Sequence, residues 1–431
     1  MTHVLSMRQK EGWHDVPLRT VFTKGCQVRH YAVLTASLSG LNKLKAKGNG
    51  MFNVKPTLFT PALLAVSLAS AAVAAQEVVE SNISTQYQDM RLLKVADGLS
   101  HPWAVTFLSQ GRYLVTERGE GMRLIVDGEK TAVAGLPEFF ATRQGGMLDV
   151  VAHPDFADNG WIYFTYSKGD ATSTVPALAR ARLDGNALID VEELFTSNTP
   201  TGPGRHYGGR ILFMPDGTLL LTIGDRGSEP MRSQDTMDHS GTVVRLNADG
   251  SVPDDNPLRG KQGYAEEIYS YGHRNIQGIV LDSAGDVWVT EHGPRGGDEL
   301  NRIEAGKNYG WPLATLGRDY RSEGPFPDAE ARELPDMQGP VYEFLPTLAP
   351  SGLAYVDSEH FPNWQGNLLA GGLSAERILR VLLEEGEVIH LEELLLQRIG
   401  RIRDVRQGPD GYIYVLNDQA DAGLYRIEPA N

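Results

Sequence analysis

The 431-residue chain carries a single cysteine, Cys26. With no partner for it, no disulfide forms within the chain, and a fold of this size has to rest on buried apolar surface. Positive charge is scarce too. Forty Lys and Arg face 55 Asp and Glu, a formal net charge of −15 at pH 7, and so acidic a surface argues against nucleic acid and anionic membrane as partners. The apolar stretch from Leu58 to Val73 is too short and too rich in alanine to span a bilayer. Three enzyme signatures are absent: the zinc-binding His-Glu-x-x-His, the phosphate-binding P-loop and the Gly-x-Ser-x-Gly elbow. Disorder is excluded by the opposite argument, because 41% hydrophobic residues in a chain this long can bury a large core.

Residues 51–75 read as a secretory signal peptide. Lys55 supplies the positive start, the Leu58 to Val73 stretch the apolar region, and Ala72, Val73, Ala74 and Ala75 a small-residue cleavage site, with cleavage expected near Gln76. Residues 1–50 hold eight Lys or Arg and two acids without any core pattern, and are read as an overlong leader with translation starting at Met51. Loss of residues 1–75 removes nine basic and two acidic residues, so the formal charge moves from −15 to −22, and Cys26 goes with them. The expectation is a soluble periplasmic protein without stable membrane insertion, free of thiol chemistry and attractive to cations.

What the chain does have is a strand-turn-strand phrase that recurs six times between Pro102 and Asp418. It runs from Ala104 to Glu117, around Met147 to Tyr166, from Arg210 to Asp225, from Ile279 to Glu291, from Leu353 to Ala370 and from Val405 to Asp418. Each copy sets two β-rich runs on either side of a turn such as Pro215-Asp-Gly217 or Pro409-Asp-Gly411, the pattern of an antiparallel hairpin. Repeats of this kind at blade spacing predict an all-β fold, a six-bladed β-propeller of four-stranded antiparallel blades, with residues 76–431 forming one catalytic domain. A β-sandwich or a pair of barrels would not call for the repetition. Two connections, Gly227 to Glu266 and Pro312 to Val341, exceed ordinary loop length and are expected to roof one face of the ring. The segment from Asp249 to Asn256 lacks the spacing and terminal Glu of an EF-hand, and reads as an acidic turn.

Polar residues crowd the ends of the apolar strands, where blade loops would line a central channel. Gln144 stands beside two glycines that permit close approach of a ligand, although a surface turn would explain it equally well. His206 precedes a strand whose hairpin partner ends at Gly224-Asp225, so the Asp225 carboxylate can fix the imidazole in one tautomer; a structural histidine is the plainer alternative. In Tyr271-Gly-His-Arg-Asn-Ile-Gln277, Arg274 with Asn275 and Gln277 can clamp a planar, oxygen-rich ligand, or Arg274 can tie inter-blade carbonyls. In Glu291-His-Gly-Pro-Arg-Gly-Gly-Asp-Glu299, glycine and proline expose main-chain carbonyls near two carboxylates, oxygen ligands that suit calcium. Arg401 and Arg403 are two apart and face one side of a strand, which is costly without an anion, and an anionic ligand is favoured over a solvated face. Such a set suits an anionic organic cofactor held by calcium, with His206 as base.

At these residues the chain resembles the soluble pyrroloquinoline-quinone (PQQ)-dependent sugar dehydrogenases, in the aldose sugar dehydrogenase branch of the glucose/sorbosone dehydrogenase family. The resemblance extends from about Leu99 to Ile427 and rests on Arg-Gln-Gly-Gly-Met-Leu148, His-Tyr-Gly-Gly-Arg210, Ile-Gly-Asp-Arg-Gly227, Gly-His-Arg-Asn-Ile-Gln-Gly278, Glu-His-Gly-Pro294, Asn-Tyr-Gly-Trp-Pro312 and Arg-Ile-Arg403. It implies that His206 is the catalytic base, that Asp225 orients it, and that Arg274 stabilises charge on the quinone. It further implies that Gln144, Asn275, Arg401 and Arg403 bind the cofactor. Ser374 is the nearest match to a cofactor-binding lysine of the glucose-specific members, a departure that puts glucose preference in doubt and agrees with the aldose branch. The carbonyls of Gly293 and Pro294 would hold a calcium ion at the cofactor, and Glu299 and Tyr309 a second, structural one.

The reading is thus a periplasmic quinoprotein that oxidises the anomeric carbon of aldose sugars to lactones and passes electrons to an external acceptor, a quinone or small redox protein. The alternatives are a calcium-dependent lactonase, which needs side-chain carboxylates around a central metal, and a sugar-binding propeller without redox activity, which has no use for an aligned His206 and Asp225.

Overall fold

The computed structural model describes residues 77–430. The leader and signal-peptide readings lie outside them. Six antiparallel sheets follow one another along the chain, and each repeated phrase is the first hairpin of one sheet. The sheets form the six blades of a propeller, numbered here one to six from residue 102, as the repeats predict. In blade three, Ile211–Phe213 pairs with Thr218–Ile223 in the register Ile211 to Leu221. The turn between them closes as expected: Asp216 Oδ1 accepts from the amide and hydroxyl of Thr218 at 2.9 and 2.7 Å, and Gly217 takes the left-handed φ of 84° that a side chain would resist.

The first strands of the blades, Pro102–Ser109, Met147–Ala152, Ile211–Phe213, Ile276–Leu281, Pro350–Tyr355 and Ile402–Gln407, stand side by side around the channel. The second strands are apolar on both faces because both faces are covered. Thr218–Ile223 is buried at every position. The core is divided accordingly into six apolar clusters, each centred on the contact between adjacent blades. Tyr163 and Leu178 of blade two, for example, pack on Leu219, Leu221 and Val244 of blade three. Each such leucine contributes about 1.5–3 kcal/mol by leaving water.

Ring closure comes from the two ends of the described chain. Met90–Leu99 pairs with Ala422–Pro429, in register from Met90 with Pro429 to Leu99 with Ala422, and so completes blade six. Glu77–Ile83 then adds a fifth strand to that sheet, the one departure from four-stranded blades.

The two long connections turn out differently. Gly227 to Glu266 is not one loop: it contains the 3-10 helix Pro230–Gln234 and the third strand of blade three, Thr242–Asn247. The strand was hidden because its apolar run is only Val243, Val244 and Leu246, with Arg245 between. Pro312 to Val341 does lack strands and lies between the last two strands of blade four. It docks on the Pro294 turn through paired main-chain bonds between Arg295 and Arg318, both 3.1 Å. The Asp249 to Asn256 segment is the acidic turn expected, with Asp249 accepting from Ser251 and Asp255 paired to Arg245 at 2.8 Å.

Candidate active site

Hairpin pairing brings the start of a blade's first strand beside the end of its second. On one face of the ring the starts supply Gln144, His206, Asn275 and Arg401, and the ends supply Arg118, Asp225, His292 and Asp418. Most of these surround a cavity of about 220 Å³ whose walls include Gln144, Asn275, Gln277, His292, Arg401 and Arg403. Of the cofactor-binding residues expected from sequence, Gln144, Asn275, Arg401 and Arg403 therefore converge. Ser374 is exposed, and its neighbour Leu373, rather than Ser374, lines the cavity.

His206 and Arg274 are not among the residues that line this cavity, though their chain neighbours Tyr207 and Asn275 are; His206 is 7% exposed, with a left-handed φ of 53°. Its main-chain amide donates to Gln144 Oε1 at 2.7 Å, and Arg226 donates to the carbonyls of Arg205 and His206 at 2.7 and 3.1 Å, which holds the bend in place. Nδ1 of His206 lies 2.6 Å from Asp225 Oδ1. The carboxylate is the acceptor in this pair, so Nδ1 carries the hydrogen and Nε2 keeps its lone pair; Nε2 has no hydrogen-bond partner among the described residues. Burial, then the Arg274 charge, push the imidazole below its ordinary range against the pull of Asp225. Burial pushes Asp225 the other way, but His206, Arg274 and the Trp311 indole outweigh it and hold the carboxyl below the usual range. The pair is thus a neutral imidazole on an ionised carboxylate, the state a general base requires.

Asp225 has further partners that sequence reasoning missed. The Gly227 amide donates to Oδ1 at 2.7 Å, and Trp311 Nε1 donates to Oδ2 at 2.8 Å. Arg274, 7% exposed, donates from Nη1 to the His292 carbonyl at 3.1 Å and lies 5.3 Å from the Trp311 ring centre, while its Nε is buried without a partner. Asn275 Oδ1 accepts from the Gly208 amide at 3.2 Å.

The arginine pair requires a correction. Arg403 donates to Asp418 Oδ2 at 2.7 Å, and Arg401 Nη2 is 3.9 Å from the same oxygen. The two arginines do converge, but Asp418 already supplies an anion, so their repulsion in the empty cavity is much less than their spacing implied. Arg403 is buried and Arg401 is 44% exposed. Around the cavity Arg118, Arg401 and Arg403 face Asp418 alone, which leaves it cationic and suited to an anionic ligand.

The expected calcium residues divide. Asp298 is committed to protein: Oδ1 accepts from the Gly293 amide at 3.0 Å and Oδ2 from the Leu348 and Ala349 amides at 2.9 and 2.7 Å. Pro294 is pressed against Gly317, where a Cβ would come within 2.5 Å of the ring. The Tyr309 hydroxyl donates to the Arg302 carbonyl at 2.6 Å and accepts from the Glu304 amide, so only its main-chain carbonyl is free to meet a cation. Glu299 fits a cation well, since burial and the neighbouring Glu291, Asp298 and Glu343 push its carboxyl up to about 8. Beside it Asn301 Oδ1 is buried without a partner. Among the described residues no three His, Cys, Asp or Glu side chains converge as a metal site.

The family model for Glucose / Sorbosone dehydrogenase matches residues 99–426, and the chain belongs to that family. It is 39% identical over 342 residues to the aldose sugar dehydrogenase YliI of Escherichia coli, covering 78% of this chain and 92% of that protein. The crystal structure of the soluble aldose sugar dehydrogenase of Escherichia coli in its apo-form superposes with a TM-score of 0.76 at 37% identity, over 79% of this chain and 99% of that one. The PQQ-bound form of the aldose sugar dehydrogenase from Streptomyces coelicolor superposes with a TM-score of 0.64 at 27% identity, over 78% and 96% of the two chains.

Proposed function

We propose that the protein is a PQQ-dependent aldose sugar dehydrogenase that oxidises the anomeric carbon to a lactone. The observation that carries this reading is a neutral His206, held on Asp225 and bonded through its main-chain amide to Gln144 in the wall of a cationic cavity. When bound, PQQ supplies the two-electron acceptor for the hydride that leaves the anomeric carbon. His206 Nε2 takes the proton of the anomeric hydroxyl, and Asp225 stabilises the imidazolium that results. The Arg274 guanidinium would face the cofactor and stabilise negative charge there, an effect often of several kcal/mol. Arg401 and Arg403 would hold carboxylates, and Gln144 and Asn275 polar edges of the ring. The carbonyls of Gly293 and Pro294 would hold calcium beside it, and Glu299 with the Tyr309 carbonyl a structural calcium. Electrons leave to an external quinone or small redox protein, and the location is periplasmic.

A lactonase would need unpaired carboxylates converging in the channel. Of the carboxylates near the channel, Asp149, Asp404 and Asp418 are each paired to arginine and Asp225 to His206. The deciding experiment reconstitutes purified apoprotein with PQQ and calcium and follows dye reduction with a panel of aldoses. Turnover that needs both cofactor and sugar is expected. Cofactor binding without turnover on any aldose would overturn the assignment.

A further inference from the structure

We propose that Trp311 is a positioning residue for the His206–Asp225 base, acting through its indole N–H on the outer oxygen of Asp225. The inference rests on the function proposed above and goes further in assigning the part of the base machinery that comes from another blade. His206 and Asp225 belong to blade three, whereas Trp311 stands on the connection between the last two strands of blade four.

Three donors address the Asp225 carboxylate. His206 Nδ1 and the Gly227 amide share Oδ1, and Trp311 Nε1 alone reaches Oδ2, at 2.8 Å. A carboxylate held only at Oδ1 could turn about its Cβ–Cγ bond, and Oδ2 would be buried without a partner, because Asp225 is 1% exposed. The indole closes that freedom and fixes the plane in which Nδ1–H is accepted, which in turn sets where Nε2 points. Trp311 is itself well anchored. Its amide donates to the Gly272 carbonyl at 2.8 Å, its carbonyl accepts from Gln234 Nε2 at 2.7 Å, and its ring lies 4.6 Å from that of Phe326. The same ring lies beneath Arg274, so one side chain touches both the carboxylate that orients the base and the guanidinium assigned to the developing charge.

The consequences for the base have a definite sign. The indole hydrogen bond draws charge from the carboxylate. Without it Asp225 would stabilise the imidazolium more, and His206 would stay protonated to a higher pH. Activity requires neutral His206, so the acid limb of kcat/KM would move to higher pH. The charged and titratable groups facing the pair are Arg205, Arg226, Arg274 and His292, and the substitution leaves all of them in place.

The test compares wild type with Trp311→Phe, which keeps the ring and removes the donor. We expect kcat/KM of the reconstituted enzyme to fall about 10- to 100-fold, the scale of one hydrogen bond to a charged group, with the acid limb displaced upward and PQQ affinity within twofold of wild type. In a double-mutant cycle with Asp225→Asn, the loss from Trp311→Phe should largely vanish, since Trp311 acts through that carboxylate. A second readout needs neither cofactor nor a folded variant. In wild-type apoprotein the NMR resonance of the Trp311 indole N–H should follow the titration of His206. An indole signal indifferent to that titration, or a full and additive loss in the Asp225→Asn background, would overturn the proposal. An inactive wild type would instead count against the functional assignment and leave the NMR result to decide this one.

Discussion

Arg210 of blade three and Asp404 of blade six meet across the middle of the channel, Nη1 to Oδ1 at 2.8 Å, with both side chains at 3% exposure or less. Arg406 donates to Asp404 Oδ2 at 2.8 Å and also pairs with Asp149, which accepts nothing from solvent. Two arginines and two aspartates thus balance in a knot in which only the Arg406 side chain, 20% exposed, reaches solvent. Arg210 also reaches the carbonyls of Gln277 and Arg403 and stacks on Trp103 at 4.1 Å, all three of which border the candidate cofactor cavity. Arg210→Met should leave an uncompensated buried charge and lower stability by about 3–5 kcal/mol, the usual cost of breaking such a pair from one side. Arg210→Met with Asp404→Asn should recover part of it. Calorimetric unfolding of the apoprotein checks both, and a single variant that melts with wild type would show that the knot is not holding the blades.

The base assignment predicts that His206→Ala loses turnover by roughly 100-fold or more, the usual scale of a general base. The cofactor contacts are untouched, so PQQ affinity should change little. Steady-state dye reduction alongside a PQQ titration separates the two, and retained activity would place the base elsewhere.

Arg401 and Arg403 should behave differently from each other. Arg403→Ala leaves Asp418 buried beside His101 and a distant Arg401, so the apoprotein should melt lower and bind PQQ more weakly. Arg401→Ala, being exposed, should weaken PQQ binding with little change in melting. Asp418 adds a pH signature. Burial pushes its carboxyl up, but Arg403, His101 and Arg118 outweigh this and hold it at about 2. A depressed carboxyl contributes stability that is complete above the unfolded value of about 3.9 and is lost as pH falls through the folded one. Acid melting curves of wild type should therefore steepen between about pH 4 and pH 2 relative to Asp418→Asn.

Calcium should raise the melting temperature of wild-type apoprotein, since an ion that binds only the folded state at 100 times its Kd adds about 2.7 kcal/mol. Glu299→Gln should reduce that rise. Equal calcium shifts in the two proteins would remove Glu299 from any ion site.

The blades were legible because their first hairpins announce themselves locally, through turns such as Asp216-Gly217 and through apolar runs buried on both faces. The strand Thr242–Asn247 was not legible, because a buried arginine interrupts so short a run. Gln144, Asn275, Arg401 and Arg403 could be placed from the ends of hairpins, and Asp225 could be paired with His206, because that contact lies within one hairpin. The Asp418 ion pair with Arg403 is also local to one hairpin, yet an aspartate at a strand end gives no sign of its partner. Trp311 on Asp225 spans 86 residues and two adjacent blades, and only the packing of one blade on the next determines that contact.

The pairing of Met90–Leu99 with Ala422–Pro429 bears on how the ring comes together in time. Blade six cannot be completed until the last segment of the described chain finds one of the first, more than 320 positions away, as Leu99 pairs with Ala422. Blades one to five can assemble in order from neighbours, but the closing step must overcome the entropy of joining distant ends. Until that clasp is made, the outer hydrogen-bonding edge of Ala422–Pro429 is open to any extended chain, its own or a neighbour's. Peptides copying Met90–Leu99 should therefore compete for that edge during refolding and trap an open ring.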